Sequence, residues 1–297
     1  MANLIIGKYH VGGYLTALFN PQYADYLEES SEDNYNYFGY IFFNSGVITA
    51  NHLNLSNIKL EDGSLPLDYQ EYGCYSYMFA NCTSLISAPE LPATTLADSC
   101  YSNMFWECTS LTTAPELPAT TLANNCYNFM FNDCTGLASA PELPATTLAE
   151  KCYWSMFNGC TSLKSAPELP AMTLADYCYV YMFYNCTSLT SAPELPATTL
   201  ATRCYEGMFR GCTSLTSAPE LPATTLTDYC YEGMFNGCTK LKYIKAMFTT
   251  KPGSTYTYNW VSGVASSGTF VKNNAATWYV TGDSGIPEGW TIQYVSA

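Results

Sequence analysis

Fourteen cysteines and two histidines are the residues of this chain best able to do chemistry, and their spacing limits what that chemistry can be. Cysteines fall at 74, 100, 126, 152, 178, 204 and 230, and again at 82, 108, 134, 160, 186, 212 and 238. There is no Cys-x-x-Cys, and His10 and His52 both lie outside the cysteine-bearing stretch, so a zinc site lacks its usual ligand pattern. For the same reason no nucleophile–histidine pair can form within the stretch, which leaves a terminal region with His10 or His52 as the one place for an enzymatic site. If a helix joins the two cysteines of one unit, eight residues set them about 12 Å apart, beyond disulfide reach. Cysteines of one column in stacked units would keep their Cβ atoms near about 4.8 Å rather than about 3.8 Å. The expectation is buried thiols acting as small apolar fillers, with no metal and no cofactor.

Glu90, Glu116, Glu142, Glu168, Glu194 and Glu220 form a column of like charge. A cation-binding strip is one reading, since carboxylates suit calcium; the other is a solvated edge whose carboxylates accept bonds from the following Thr amides. A single carboxylate per unit favours the second. Trp106, Phe129, Trp154, Tyr181 and Tyr184 break the repeat at positions where other units carry Ser, Asn, Glu, Gly or Arg. Phe129, Trp154 and Tyr181 follow the first Cys of consecutive units by three, two and three residues, so stacking should bring them together. Clustered exposed aromatics serve as anchors of recognition surfaces, and they also pad neighbouring elements; the sequence leaves both readings open.

The elements that position these groups follow from a repeat of 26 residues, in which seven Met-Phe pairs and six APELPA blocks keep the cysteine phase. A fixed period of this length marks stacked units, none able to cover its own apolar face. Cys100, Met104 and Cys108, with Tyr101 and Phe105, take i, i+4 spacings that predict a short helix. Asp98, Asn124, Asp176 and Asp228 stand where N-caps would, and Gly159 and Gly211 where the helix would stop. The following CTSLTTA predicts a strand of three or four residues. Pro115 and Pro118 cannot donate ladder bonds, so the strand ends before them and PELPATT returns extended, with Leu117 and Leu122 inward.

The expected organisation is a cap or attachment region over 1–52, a degenerate half-repeat over 53–73, a seven-unit array over 74–248 and a β-rich cap over 249–297. In the last segment, Gly268 to Lys272, Thr277 to Val280 and Trp290 to Val295 read as short strands. Charged residues make up 12% and the formal charge is −14, which excludes nucleic acid and anionic membrane as natural partners. No apolar run approaches a spanning helix, and MANLIIGKYH has no basic start or cleavage pattern of a secretory signal.

The pattern CYxxMFxxCTxLTSAPELPATTLA resembles the BspA-like leucine-rich repeats of surface proteins from anaerobic gut and oral bacteria, and NWVSGVASSGTF with GIPEGWT resembles the segment that closes such arrays. The resemblance covers roughly residues 53 to 297. It implies an α/β solenoid, a leucine-rich-repeat-like stack of short strand plus short helix, with an N-terminal cap region and a small β-rich C-terminal cap. It further implies a non-enzymatic adhesion or recognition role on a cell surface, toward a protein or glycan, and brings no catalytic residues. Two departures are the missing leader and residues 1–52, which do not carry the repeat. A phage virion component that attaches to capsid or tail proteins through 1–52 fits these departures.

Overall fold

The computed structural model describes residues 9–14, 42–54 and 75–296. It is a parallel β-solenoid, and among the described residues the helix expected in each unit is absent. The segment from the first to the second Cys is instead a run of four-residue turns. Ser99, Asn103 and Glu107 have φ of 56°, 56° and 57°, and the same three columns are left-handed in nearly every unit. Backbone donors then alternate. Tyr101, Asn103, Phe105 and Glu107 give their N–H groups to the carbonyls of Cys126, Asn128, Met130 and Asn132 in the next unit, at 2.8–3.0 Å. Ser102, Met104, Trp106 and Cys108 bond three residues back within their own unit. A third-position residue with positive φ is what a type II turn demands.

The apolar spacing that suggested a helix is therefore met by another coil of period four. The N-caps are also reassigned. Asp98 Oδ1 accepts the N–H of Asn124 at 2.9 Å, Asn124 Oδ1 that of Glu150 at 3.1 Å, and Asp176 Oδ1 that of Thr202 at 2.8 Å, so each carboxamide or carboxylate staples one unit to the next. Gly159 and Gly211 sit at φ of 72° and 77° in the last turn rather than at a helix end.

Two aromatic ladders fill the solenoid. Tyr75, Tyr101, Tyr127, Tyr153, Tyr179, Tyr205 and Tyr231 stack at 5.5–6.0 Å, and Phe79 through Phe235 at 5.5–5.8 Å. Met, Leu and both Cys columns are buried beside them. Such parallel offset rings add to the free energy of area burial. Phe42 extends the Phe ladder, 5.1 Å from Phe79; its N–H bonds Met78 O and that of Asn44 bonds Ala80 O, so the coil reaches back into the stretch that the sequence assigns to a separate region. Most of 1–52, 55–73 of the expected half-repeat and Cys74 of the expected array lie outside the described residues.

Parallel pairing is interrupted where proline dictates. In the middle units the expected strand shrinks to single bridges, Thr113 to Ser139 and Ser165 to Ser191 before the first Pro, and Thr121 through Thr147 and Thr173 to Thr199 after the second. Continuous strands occur toward the ends. At the N-terminal side β1 (Tyr9–Tyr14) pairs with β2 (Val47–Asn54), and Thr49 of β2 bridges Ser87 of the array. At the C-terminal side β3 (Ser217–Leu221), β4 (Tyr243–Ala246), β5 (Thr269–Asn273) and β6 (Thr291–Val295) form one parallel sheet in that order. The stretch 277–280 is not a strand. The ladders end on Trp260, 6.2 Å from Tyr231 and 6.1 Å from Phe235.

Candidate functional site

The described cysteines pack the core. Thirteen are described and all are buried. Those of the second column have one job each: Cys108 Sγ donates to Phe79 O at 3.0 Å, Cys134 to Phe105 O at 3.0 Å, Cys160 to Phe131 O at 3.1 Å, and so on to Cys238 and Phe209. A thiol suits this place because it is a weak donor, cheap to bury and large enough to fill the gap. Burial pushes the Cys152 and Cys238 thiols up to about 12, so these two stay protonated at neutral pH, when a thiol is a poor nucleophile and metal ligand.

The glutamate column is exposed throughout. Glu220 is paired with Lys245 at 2.6 Å, and among the described residues no three His, Cys, Asp or Glu converge as a metal site would need. Between two units an open groove of about 510 Å³ is walled by Pro141, Glu142, Pro144, Pro167, Glu168 and Pro170. It has one carboxylate per unit and no titratable group of unlike kind, which makes it an acidic trough.

The aromatic residues that break the repeat lie on the turn face, all half-buried. Side chains on the left-handed columns lean over the following unit: Tyr181 covers Gly207, Asp133 covers Gly159 and Asn185 covers Gly211. That lean brings Phe129 to Trp154, with ring centroids 6.1 Å apart. Trp154 stacks on Tyr177 at 6.2 Å, and Lys151 Nζ stands 5.8 Å and 5.2 Å from those two rings. One unit further, Tyr181 meets Tyr184 edge-on at 5.7 Å, and Arg210 lies 5.8 Å from the Tyr184 ring. Arg203 lies 4.2 Å over Tyr229 and pairs with Glu206 at 2.5 Å and Glu232 at 3.8 Å. Tyr181 donates its hydroxyl to Glu206 Oε1 at 2.9 Å.

Partial burial, reinforced by the Glu206 carboxylate, pushes the Tyr181 phenol up to about 12, which keeps it a donor. Burial and then Glu206 raise the Glu232 carboxyl, against the pull of Arg203 and Arg210. Both arginines of the chain thus stand on this face. The arrangement can hold flat or polar surface by ring contact and paired charge; it contains no histidine.

Of the residues singled out from sequence, Phe129 and Trp154 are brought together and Tyr181 and Tyr184 are brought together. Trp106 touches no other ring or cation among the described residues. Lys151, Tyr177, Arg203, Tyr229, Glu206 and Glu232 were not singled out. The signal lay in the columns one residue before and two residues after the first Cys, which vary from unit to unit while the core columns do not. A helical reading places the residue before the Cys in the first turn, next to the cap, and hides its contact with the next unit.

No helix among the described residues is long and apolar enough to cross a membrane. No curated protein and no solved structure matches the chain significantly. The family described as BspA type Leucine rich repeat region matches over residues 14–138, 51–178 and 140–260. With that span added to the ladders and the repeated turn coil, the chain belongs to the BspA-type leucine-rich repeat family.

Proposed function

We infer that the protein is a non-enzymatic recognition scaffold whose turn face, at Phe129, Trp154, Tyr181 and Tyr184 with Trp106 as a separate contact, binds a protein or glycan on the outside of a cell or particle. Family membership supports the coarser part, a protein-binding repeat scaffold. The finer part rests on backbone conformation. Phe129, Tyr177, Tyr181 and Tyr229 hold φ of 52°, 60°, 51° and 58°, a region that favours glycine and asparagine and strains bulky side chains. Other units fill the same columns with Gly207, Gly233, Asn103 and Asn125, so folding does not require rings there. Each costs about 1 kcal/mol or more in strain, so rings held at columns that polar residues fill elsewhere support a binding role. A virion role anchored through 1–52 has less to support it, since Phe42 and Asn44 are used to extend the coil.

The test is a triple variant, Phe129→Asn, Trp154→Ser and Tyr181→Asn, compared with Met156→Ala in the core. Surface changes cost about 0.5 kcal/mol or less each, so melting of the triple variant should stay within a few degrees. Binding to an array of glycans and surface proteins should weaken by about tenfold or more, because aromatic anchors contribute about 2 kcal/mol or more. Met156→Ala should destabilise by about 2–5 kcal/mol. A triple variant that binds as the parent does, or unfolds as readily as the core variant, would refute the assignment.

A further inference from the structure

β6 is the edge of its sheet: β5 lies on one side, and among the described residues no strand lies on the other. The direction of its backbone groups is settled by its contacts. Thr291 donates its N–H to Gly268 O at 2.9 Å, and Val295 O accepts the N–H of Asn274 at 2.8 Å. In a parallel ladder alternate residues turn both groups to the same neighbour. Thr291, Gln293 and Val295 therefore face β5, while Ile292 and Tyr294 aim N–H and C=O outward. Proteins keep such edges single with charge, proline or bulges. The strand Thr-Ile-Gln-Tyr-Val has no charge and no proline, its pairing with β5 is in unbroken register, and Tyr294 is 59% exposed.

Beneath this edge the core is already closed. Trp260 donates Nε1–H to Gly285 O at 2.8 Å, and Trp290 to Ala265 O at 2.7 Å. Lys272, only 2% exposed, donates Nζ–H to Trp278 O and lies 4.1 Å over the Trp278 ring. Another whole coil stacked on this end would gain little apolar contact. What is unfinished is a single strand edge, and a strand is what completes it.

We propose that β6 pairs antiparallel with β6 of a second copy of this chain about a two-fold axis at Gln293. This is the register that pairs all five residues and puts both outward-facing residues in hydrogen-bonded positions. Ile292 exchanges two bonds with Tyr294 of the second copy, and Tyr294 with its Ile292, so four backbone bonds form. The two Gln293 residues meet as a non-hydrogen-bonded pair with Cα atoms about 4.5 Å apart. A charged residue there would face its own copy; a glutamine, both donor and acceptor, pairs with itself. Tyr294 of each copy covers the half-buried Ile292 of the other. A five-residue edge falls short of the roughly 1,200–2,000 Å² of a standard interface, so the association is of micromolar order.

Sedimentation equilibrium of the full chain, from about 1 to 200 µM to bracket that strength, tests this. The weight-average mass should rise toward twice the monomer value. Gln293→Lys and Gln293→Glu should each hold it at the monomer value with melting unchanged, and their equimolar mixture should dimerise again, which loss of folding could not do. Tyr294→Pro removes an outward donor and no backbone bond to β5, though it loses the ring contact with Lys272, and should also stay monomeric. A parent chain that remains monomeric throughout, or a Gln293→Lys chain that dimerises like the parent, overturns the proposal.

Discussion

The ring of Tyr181 fills the space that a side chain on Gly207 would need: a Cβ there would lie 2.1 Å from Tyr181 Cε1 and 2.2 Å from Cδ1. One unit on, a Cβ on Gly233 would meet nothing within 4 Å. Both glycines are left-handed, at φ of 56° and 60°, so an alanine at either place carries the same backbone cost of about 1–2 kcal/mol. Gly207→Ala must also displace the ring that bonds Glu206, adding about 1–3 kcal/mol. Urea unfolding of the two variants should therefore differ by that amount, with Gly207→Ala the less stable. Equal losses would show that Tyr181 is not packed on its neighbour.

The buried thiols set an alkaline limit on stability. Cysteines of the unfolded chain ionise near about 8.5, whereas burial pushes Cys152, Cys230 and Cys238 up to about 12 and drives Cys108, Cys126, Cys160, Cys178 and Cys212 well above their ordinary value. An acid whose folded value is raised stabilises the fold fully below its unfolded pKa and loses that contribution as pH climbs toward the folded value. Above about pH 8.5 the unfolded chain binds fewer protons than the folded one, and each such thiol withdraws about 1.4 kcal/mol per pH unit. Several acting together should make the melting temperature fall steeply from about pH 8.5 to 10, with no comparable fall between about pH 6 and 8. Iodoacetamide at neutral pH should leave the native chain nearly unlabelled and label most of the cysteines after denaturation without reductant. A flat melting profile across the alkaline range would contradict this.

Trp260 closes the array. It stands 6.2 Å from Tyr231, 6.1 Å from Phe235, 5.8 Å from Phe248 and 6.2 Å from Phe270, so both ladders end against one indole. Trp260→Ala should cost about 3–5 kcal/mol. Because each unit of a solenoid is stabilised by its neighbours, the loss should appear first as early proteolysis of the C-terminal coils while the middle units stay protected. Uniform loss of protection along the chain would count against a local cap.

How far the sequence reaches can be judged from single residues. The 26-residue period, the inward Tyr, Met, Phe, Leu and Cys columns and the break at Pro115 and Pro118 were legible, because a repeat forces like residues into like places and proline removes a donor wherever it stands; of the three rings expected together, Phe129 meets Trp154 while Tyr181 meets Tyr184 instead. The helix was not settled by the same signal. Cys100, Tyr101, Met104, Phe105 and Cys108 recur with a period of four, which an α-helix and a coil of four-residue turns both satisfy. The clue lay in Gly207 with Gly211 and Gly233 with Gly237, residues tolerant of positive φ that recur four apart between the apolar ones. What decides between the two coils is where alternate N–H groups go. In the stack, the N–H of Tyr101 finds Cys126 and that of Phe105 finds Met130, acceptors that exist only once the next unit is in place. A local sequence determines which residues face inward; the choice of backbone, and with it the leaning of Tyr181 over Gly207 and the contact of Arg203 with Tyr229, belongs to the neighbouring unit.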